Sequence, residues 1–196
     1  MKRSFKRFAI VGVALMSLVE TGFSQSADRI NVVTTAVPFL RISPDARAGG
    51  MGDVGVATSP DANSQFYNLA KYPFNKNPGG LSLTYTPWLK DLGLNDVYLA
   101  SLAGYYKIDE QQSISASLRY FSLGNIQFTD ALGNDLNSFR PREVGVDVGY
   151  SRKLSDHLSL GVALRYINSN LAGGAAVNGV SYKAGSAVAG DIGLFY

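Results

Sequence analysis

The chain has 196 residues, one histidine, no cysteine and a formal charge of +3, a length that suits one domain with a sizeable core. Disulfides and thiol chemistry are excluded, and a lone histidine leaves little for a histidine-based metal centre or triad. The excess charge sits in the first 24 residues, which hold four of the 18 basic residues and one of the 15 acidic ones; the other 14 of each cancel, so the basic pI implies no nucleic-acid partner.

That first stretch has the build of a secretory signal peptide. Lys2, Arg3, Lys6 and Arg7 precede the apolar run Phe8 to Val19, and Gly22-Phe23-Ser24 offers small residues for cleavage after Ser24. Twelve apolar residues fall short of the ~20 that a spanning helix needs. Residues 1–24 are therefore expected to be a Sec-type leader, and the mature protein to be exported.

Residues 25–78 form the next region. It contains FLRISPDARAGGMGDVGVA, Phe39 to Ala57, in which Gly49, Gly50, Gly52 and Gly55 lie among small apolar residues and the charges Arg41, Asp45, Arg47 and Asp53. Gly50 to Gly55 matches G-x-G-x-x-G, but no strand precedes it and an exported chain meets no cytosolic dinucleotide, so the match is weak. Glycine and alanine let backbone approach backbone closely. The stretch is expected to act as a plug or hatch inside a narrow polar lumen, its charges pairing with inward Asp and Arg side chains. Ser59-Pro60-Asp61 then reads as a helix start, with a short helix from Ala62 to Ala70 stopped by Pro73.

From Gly79 onward apolar and polar residues alternate, and six strands are expected: Leu81 to Trp88, Asp96 to Ile108, Ser113 to Leu123, Glu143 to Leu154, Leu158 to Ile167 and Ala187 to Tyr196. One face of each is apolar and ends in tyrosine; the other is small, polar or charged. A soluble half-buried sheet gives the same alternation, so three further features decide. The runs reach 13 residues, beyond the ~5–6 typical of globular sheets. Tyr85, Tyr98, Tyr106, Tyr120, Tyr150, Tyr166 and Tyr196 mark the ends of the apolar faces, as interfacial girdles do. Connections alternate between long (Leu89 to Asn95, Gly124 to Arg142, Asn168 to Ser186) and short (Asp109 to Gln112, Ser155 to His157), the outer-membrane pattern. The segments KIDEQQSISASLRY and KLSDHLSLGVALRY repeat without gaps at an offset of 46 residues. That spacing fits two strands of an up-and-down meander, and also a propeller blade; the girdles favour the barrel.

If Leu154 pairs with Leu158, Asp147 faces Arg165 across the inward side, while Arg119 faces Ser101. Arg119, Glu143, Asp147, Arg165 and Asp191 are the expected lumen charges. Arg119 is a candidate for contacting something within, although Glu143, Asp147 or water are the simpler partners. His157 lies in a turn, as do Asp109 and Glu110, and solvation accounts for them. No catalytic constellation is found and no cofactor is expected.

The run FLRISPDARAGGMGDVGVATSPDANSQFYN, Phe39 to Asn68, resembles the N-terminal signature of the PorV/PorQ family, with Arg41, Ser43, Pro44, Asp45, Arg47, Gly49, Gly50, Gly52 and Asp53 carrying the likeness. The looser pattern resembles the hatch of FadL-type transporters. The resemblance implies an all-β, up-and-down outer-membrane barrel of the type IX secretion system, embedded in outer-membrane lipid and without enzymatic activity. It implies binding of the C-terminal signal domain of cargo leaving the translocon barrel, and transfer to the PorU-like attachment complex. Arg41 to Gly55 and the loops Gly124 to Arg142 and Asn168 to Ser186 are the implied contact elements. A FadL-like transporter of hydrophobic compounds and a porin-like protein are the alternatives. The family has about fourteen strands against the six read here, too few for the ~8 of the smallest usual barrel, so the chain is expected to be the N-terminal part of a longer protein.

Overall fold

The computed structural model describes residues 37–129, 132–171, 176–177, 180–181 and 183–196; the signal-peptide expectation and part of the loop from Asn168 to Ser186 lie outside them. The fold is all-β. Six long antiparallel strands, β1 (Gly79–Pro87), β2 (Val97–Lys107), β3 (Gln112–Leu123), β6 (Arg142–Lys153), β7 (Ser159–Asn170) and β10 (Gly185–Phe195), form one sheet in chain order, with β1 and β10 at its edges. The sheet is not closed on itself.

The short turns follow from local side-chain bonds. Asp109 accepts from the backbone of Gln111 and Gln112 and from the Gln112 amide, all at 2.7 Å. Ser155 accepts from the Leu158 amide at 3.1 Å, and the Leu154 amide donates to the Leu158 carbonyl at 2.7 Å. These turns fix register, because a one-residue slip reverses which side chains face inward. Asp147 accordingly pairs with Arg165 across β6 and β7, and Arg119 with Ser101 across β2 and β3.

Two of the three long connections carry strands of their own. In the second, β4 (Ile126–Thr129) pairs with β5 (Asp135–Phe139) as a hairpin, and β8 (Ala176–Val177) pairs with β9 (Val180–Ser181) beyond β7. In the first connection Lys90–Leu92 makes a single 3-10 turn.

The two faces of the sheet differ sharply. The outer one carries Leu81, Leu83, Leu102, Leu118, Val146, Val148, Leu164, Val188, Ile192 and Leu194, all exposed. Tyr85, Tyr98 and Tyr120 pack side by side along its long-loop end, with centroids 5.1 and 6.0 Å apart, while Tyr106 and Tyr150 flank Ile114 toward the other end. Tyr98 and Tyr106 are eight residues apart on β2, about 27 Å along the strand. The inner face is mostly small or polar, with Ser113, Ser115, Ser117, Ser151, Ser159 and Ala163 buried. Near the long loops it turns apolar at Val97, Leu99 and Ile167, against the expectation of a uniformly small or polar side.

Residues 37–78 cover the inner face. Asp45 caps a five-residue helix, α1 (Ala46–Gly50), by accepting from the Arg47 and Ala48 amides, and the chain leaves it through left-handed Gly52 and Asp53, φ 77° and 64°. The single helix expected from Ala62 to Ala70 is instead two 3-10 turns, Ala62–Phe66 and Leu69–Phe74, with Pro73 inside the second. The Asn68 side chain breaks the run by accepting from the Ala70 amide at 3.1 Å. The Ala70 carbonyl, which a 3-10 turn would offer to the missing N–H of Pro73, takes the Ser159 hydroxyl.

Candidate functional site

The site is the seat of the N-terminal segment on the sheet. Three glycines on neighbouring strands make a notch: Gly149 on β6, Gly161 on β7 and Gly193 on β10, with Gly161 directly opposite Gly193. A Cβ on Gly149 would lie 2.6 Å from Leu69 Cδ1 and 2.7 Å from Ser115 Oγ. On Gly161 it would lie 2.8 Å from Leu69 Cγ and 2.9 Å from the Ala70 nitrogen, and on Gly193 2.5 Å from Asn68 Oδ1. A side chain at any of these points would force its neighbours to shift, and at Gly161 that neighbour includes the segment's backbone. Leu69 fills the notch, and Asn68 Nδ2 donates to the Leu194 carbonyl of β10 at 2.9 Å.

Beside the notch, Tyr72 stacks on Tyr105 of β2. Its hydroxyl accepts from the Gln65 amide at 2.8 Å and donates to the Ala62 carbonyl at 3.0 Å. Burial pushes this phenol well above the usual tyrosine range. Lys71 is 1% exposed and donates to the Gly55 carbonyl at 2.6 Å and to Thr58 Oγ1 at 3.2 Å. Burial holds its ammonium below the usual lysine range, with Asp61 acting in the other direction. Tyr67 is raised by burial, countered by its hydrogen bond with Ser43.

The expected lumen charges all lie on this side. Asp147, 1% exposed, accepts from Arg165 Nε and from Ser117 Oγ, the latter at 2.7 Å. Arg165 also reaches Asp191 at 3.1 Å. Glu143 accepts from Ser169 at 2.7 Å. Among the described residues Arg119 makes no ion pair: its Nη1 donates to the Leu40 carbonyl at 2.8 Å, and its guanidinium lies 4.3 Å from the centroid of Phe66. It therefore contacts the segment within, rather than the carboxylates of the next strand.

The charges of the glycine-rich stretch behave differently from expectation. Arg47 bonds Asp61 at 3.1 Å and Ser59 at 2.9 Å, and Asp45 takes Asn63 Nδ2 at 3.0 Å. Ser43 bonds Tyr67 and Pro44 is buried, whereas Arg41, Gly49, Gly50, Gly52 and Asp53 are exposed. Among the described residues, ion pairs stay within the segment or within the sheet. The two parts meet mainly through backbone carbonyls, shape and the neutral bond from Ser115 Oγ to Gln65 Oε1: a buried carbonyl accepts a bond without bringing a second charge to desolvate. The tightest contact lies at residues 65–74, which overlap the last four residues of the signature and run beyond it. Gln65, Asn68, Leu69, Tyr72 and the three notch glycines were missed in the sequence. The available signal was glycine on the inward positions of adjacent strands.

A family model described as type IX secretion system protein PorV matches residues 24–196. No curated protein matches the chain.

Proposed function

The chain belongs to the family of the type IX secretion system protein PorV, whose members are components of that machinery associated with the outer membrane, and from this premise we propose that it binds the C-terminal signal domain of cargo and passes it from the translocon barrel to the surface attachment complex. The sheet is part of an outer-membrane barrel, residues 37–78 are its plug, and cargo meets the long-loop end. The contiguous apolar outer face between tyrosine rows supports lipid contact, since soluble monomers rarely leave so large a patch open.

The observation that carries the reading is the filled inner face. Anything crossing there has to displace Leu69 and Tyr72 from the sheet, which leaves the loop end as the surface free for a partner. There the hairpin of β4 and β5 presents exposed Ile126, Phe128 and Leu132. The cavity beside the seat sets Gln65, Asn68, Arg119, Arg165 and Asp191 beside apolar residues such as Leu40 and Ile192, a mixed lining with more polar than apolar surface, which favours a protein-binding barrel over a conduit for hydrophobic compounds.

The test is capture of a cargo C-terminal domain by the full-length protein in detergent, against an unrelated barrel of similar size. Enrichment over that control is expected, and none would sink the proposal.

A further inference from the structure

Between the N-terminal segment and strands β3, β7 and β10 lies a cavity of about 280 Å³ bordered by Gln65, Phe66, Asn68, Arg119, Arg165 and Asp191. Two hydrogen-bond donors on its lining side chains lack a partner among the described residues: Nε of Arg119 and Nε2 of Gln65, on residues 3% and 4% exposed. One other group on each is engaged. Arg119 Nη1 donates to the Leu40 carbonyl, and Gln65 Oε1 accepts from Ser115 Oγ at 2.5 Å. A buried donor left without an acceptor costs ~1–3 kcal/mol, more when charged, so two beside one cavity call for an explanation.

The nearby carboxylates do not provide it. Asp147 is taken by Arg165 and Ser117, and Asp191 by Arg165. With Arg165 shared between two aspartates, Arg119 balances their second charge only at a distance. The Asp191 carboxylate is 51% exposed and is paired with Arg165 at 3.1 Å, which offsets its repulsion of an incoming anion. Both open positions are donors and neither is an acceptor, which selects a ligand made of acceptors.

We propose that this cavity is a binding site for a small oxyanion group, a carboxylate or phosphate whose oxygens accept from Arg119 Nε and Gln65 Nε2. Charge-assisted bonds of this kind are among the stronger ones. One donor comes from strand β3 and the other from the N-terminal segment, so an occupied site ties the segment to the wall. The inference is independent of the cargo reading. Its chemistry admits two sources, a free small acid and a carboxylate at the end of a peptide.

The experiment uses full-length protein in detergent micelles, titrated with sodium acetate and sodium phosphate against sodium chloride at matched ionic strength, and followed by calorimetry and by melting temperature. A further pair of arms uses one short peptide with a free and with an amidated C-terminus. A saturable response to acetate or phosphate but not to chloride is expected. Gln65→Leu weakens it about tenfold or more. Gln65→Glu supplies a carboxylate from within, raising the melting temperature without ligand and abolishing the response. Binding of the free-ended peptide alone assigns the source to a chain end; binding of the small acids alone assigns it to a free anion. No saturable oxyanion response in the wild type, equal binding of both peptides, or unchanged affinity in Gln65→Glu overturns the proposal.

Discussion

The ring of Tyr72 lies on the ring of Tyr105 with centroids 4.6 Å apart and planes 19° from parallel, so a residue of the N-terminal segment is held against the sheet by a face-on contact. The Tyr72 hydroxyl also closes two backbone groups of its own segment. Tyr72→Phe keeps the stack and strands the Gln65 amide, at an expected cost of ~1–3 kcal/mol in segment docking. Tyr105→Leu removes the stack, worth ~0.5–1.5 kcal/mol beyond burial, but leaves those bonds. Native-state proteolysis of residues 37–78 measures both, and a larger loss in Tyr105→Leu would mean that ring contact rather than the hydroxyl dominates.

The notch glycines separate side-chain clashes from backbone clashes. The new methyl of Gly149→Ala meets Leu69, Ser115 and Gln65 side-chain atoms, whereas that of Gly161→Ala meets the Ala70 backbone as well. Both are expected to loosen the segment by ~1–3 kcal/mol. Adding Leu69→Ala, itself costing ~2–5 kcal/mol, is expected to be less than additive with Gly149→Ala and nearly additive with Gly161→Ala. The same proteolysis assay reads the two cycles, and equal coupling in both contradicts the geometry.

Lys71 gives the docking a pH dependence of defined sign. Its folded value is lowered by burial, so between that value and about 10.4 the undocked chain binds more protons and docking strengthens as pH rises. This contribution is complete above the unfolded value and lost as pH falls through the folded one. Tyr67 and Tyr72 are raised by burial, so their contributions hold below about 10 and fade as pH rises through their folded values. Protection of the segment is therefore expected to climb toward about pH 10 and then decline. Lys71→Met abolishes the climb and keeps the decline; a wild-type profile that falls steadily from neutral pH refutes this assignment.

Depth in the membrane is testable on the outer face. Leu102 lies midway between Tyr98 and Tyr106 on β2 and pairs with Leu118. Leu102→Lys is expected to cost ~2–4 kcal/mol in folding into lipid vesicles, against ~0–1 kcal/mol for Tyr106→Lys near the interface. Equal penalties at the two positions would place the bilayer elsewhere.

The strands were legible because alternation has a short period and a one-letter readout, and the turn from Ser155 to His157 then set the Asp147–Arg165 pairing without further information. The segment at residues 62–74 was not legible. Its spacing reads as one helix, but Asn68 spends its side chain on the Ala70 amide and the Leu194 carbonyl, and the Ala70 carbonyl goes to Ser159. Those partners are up to 126 residues away in sequence, beyond any local window. The Arg119 contact with Leu40, across 79 residues, was equally hidden. A candidate partner inside the sheet was inferred for it, but backbone carbonyls leave no mark in a sequence.

Arg165 holds Asp147 on β6 and Asp191 on β10 at once, so a single guanidinium reports the alignment of both neighbours of β7. Were either neighbour displaced by one residue, its aspartate would turn toward the apolar outer face and its outward valine or isoleucine toward the polar interior. Each misthreaded pairing thus carries a charge penalty on top of its lost packing. The three side chains act as registration marks, proofreading the strands as they come together.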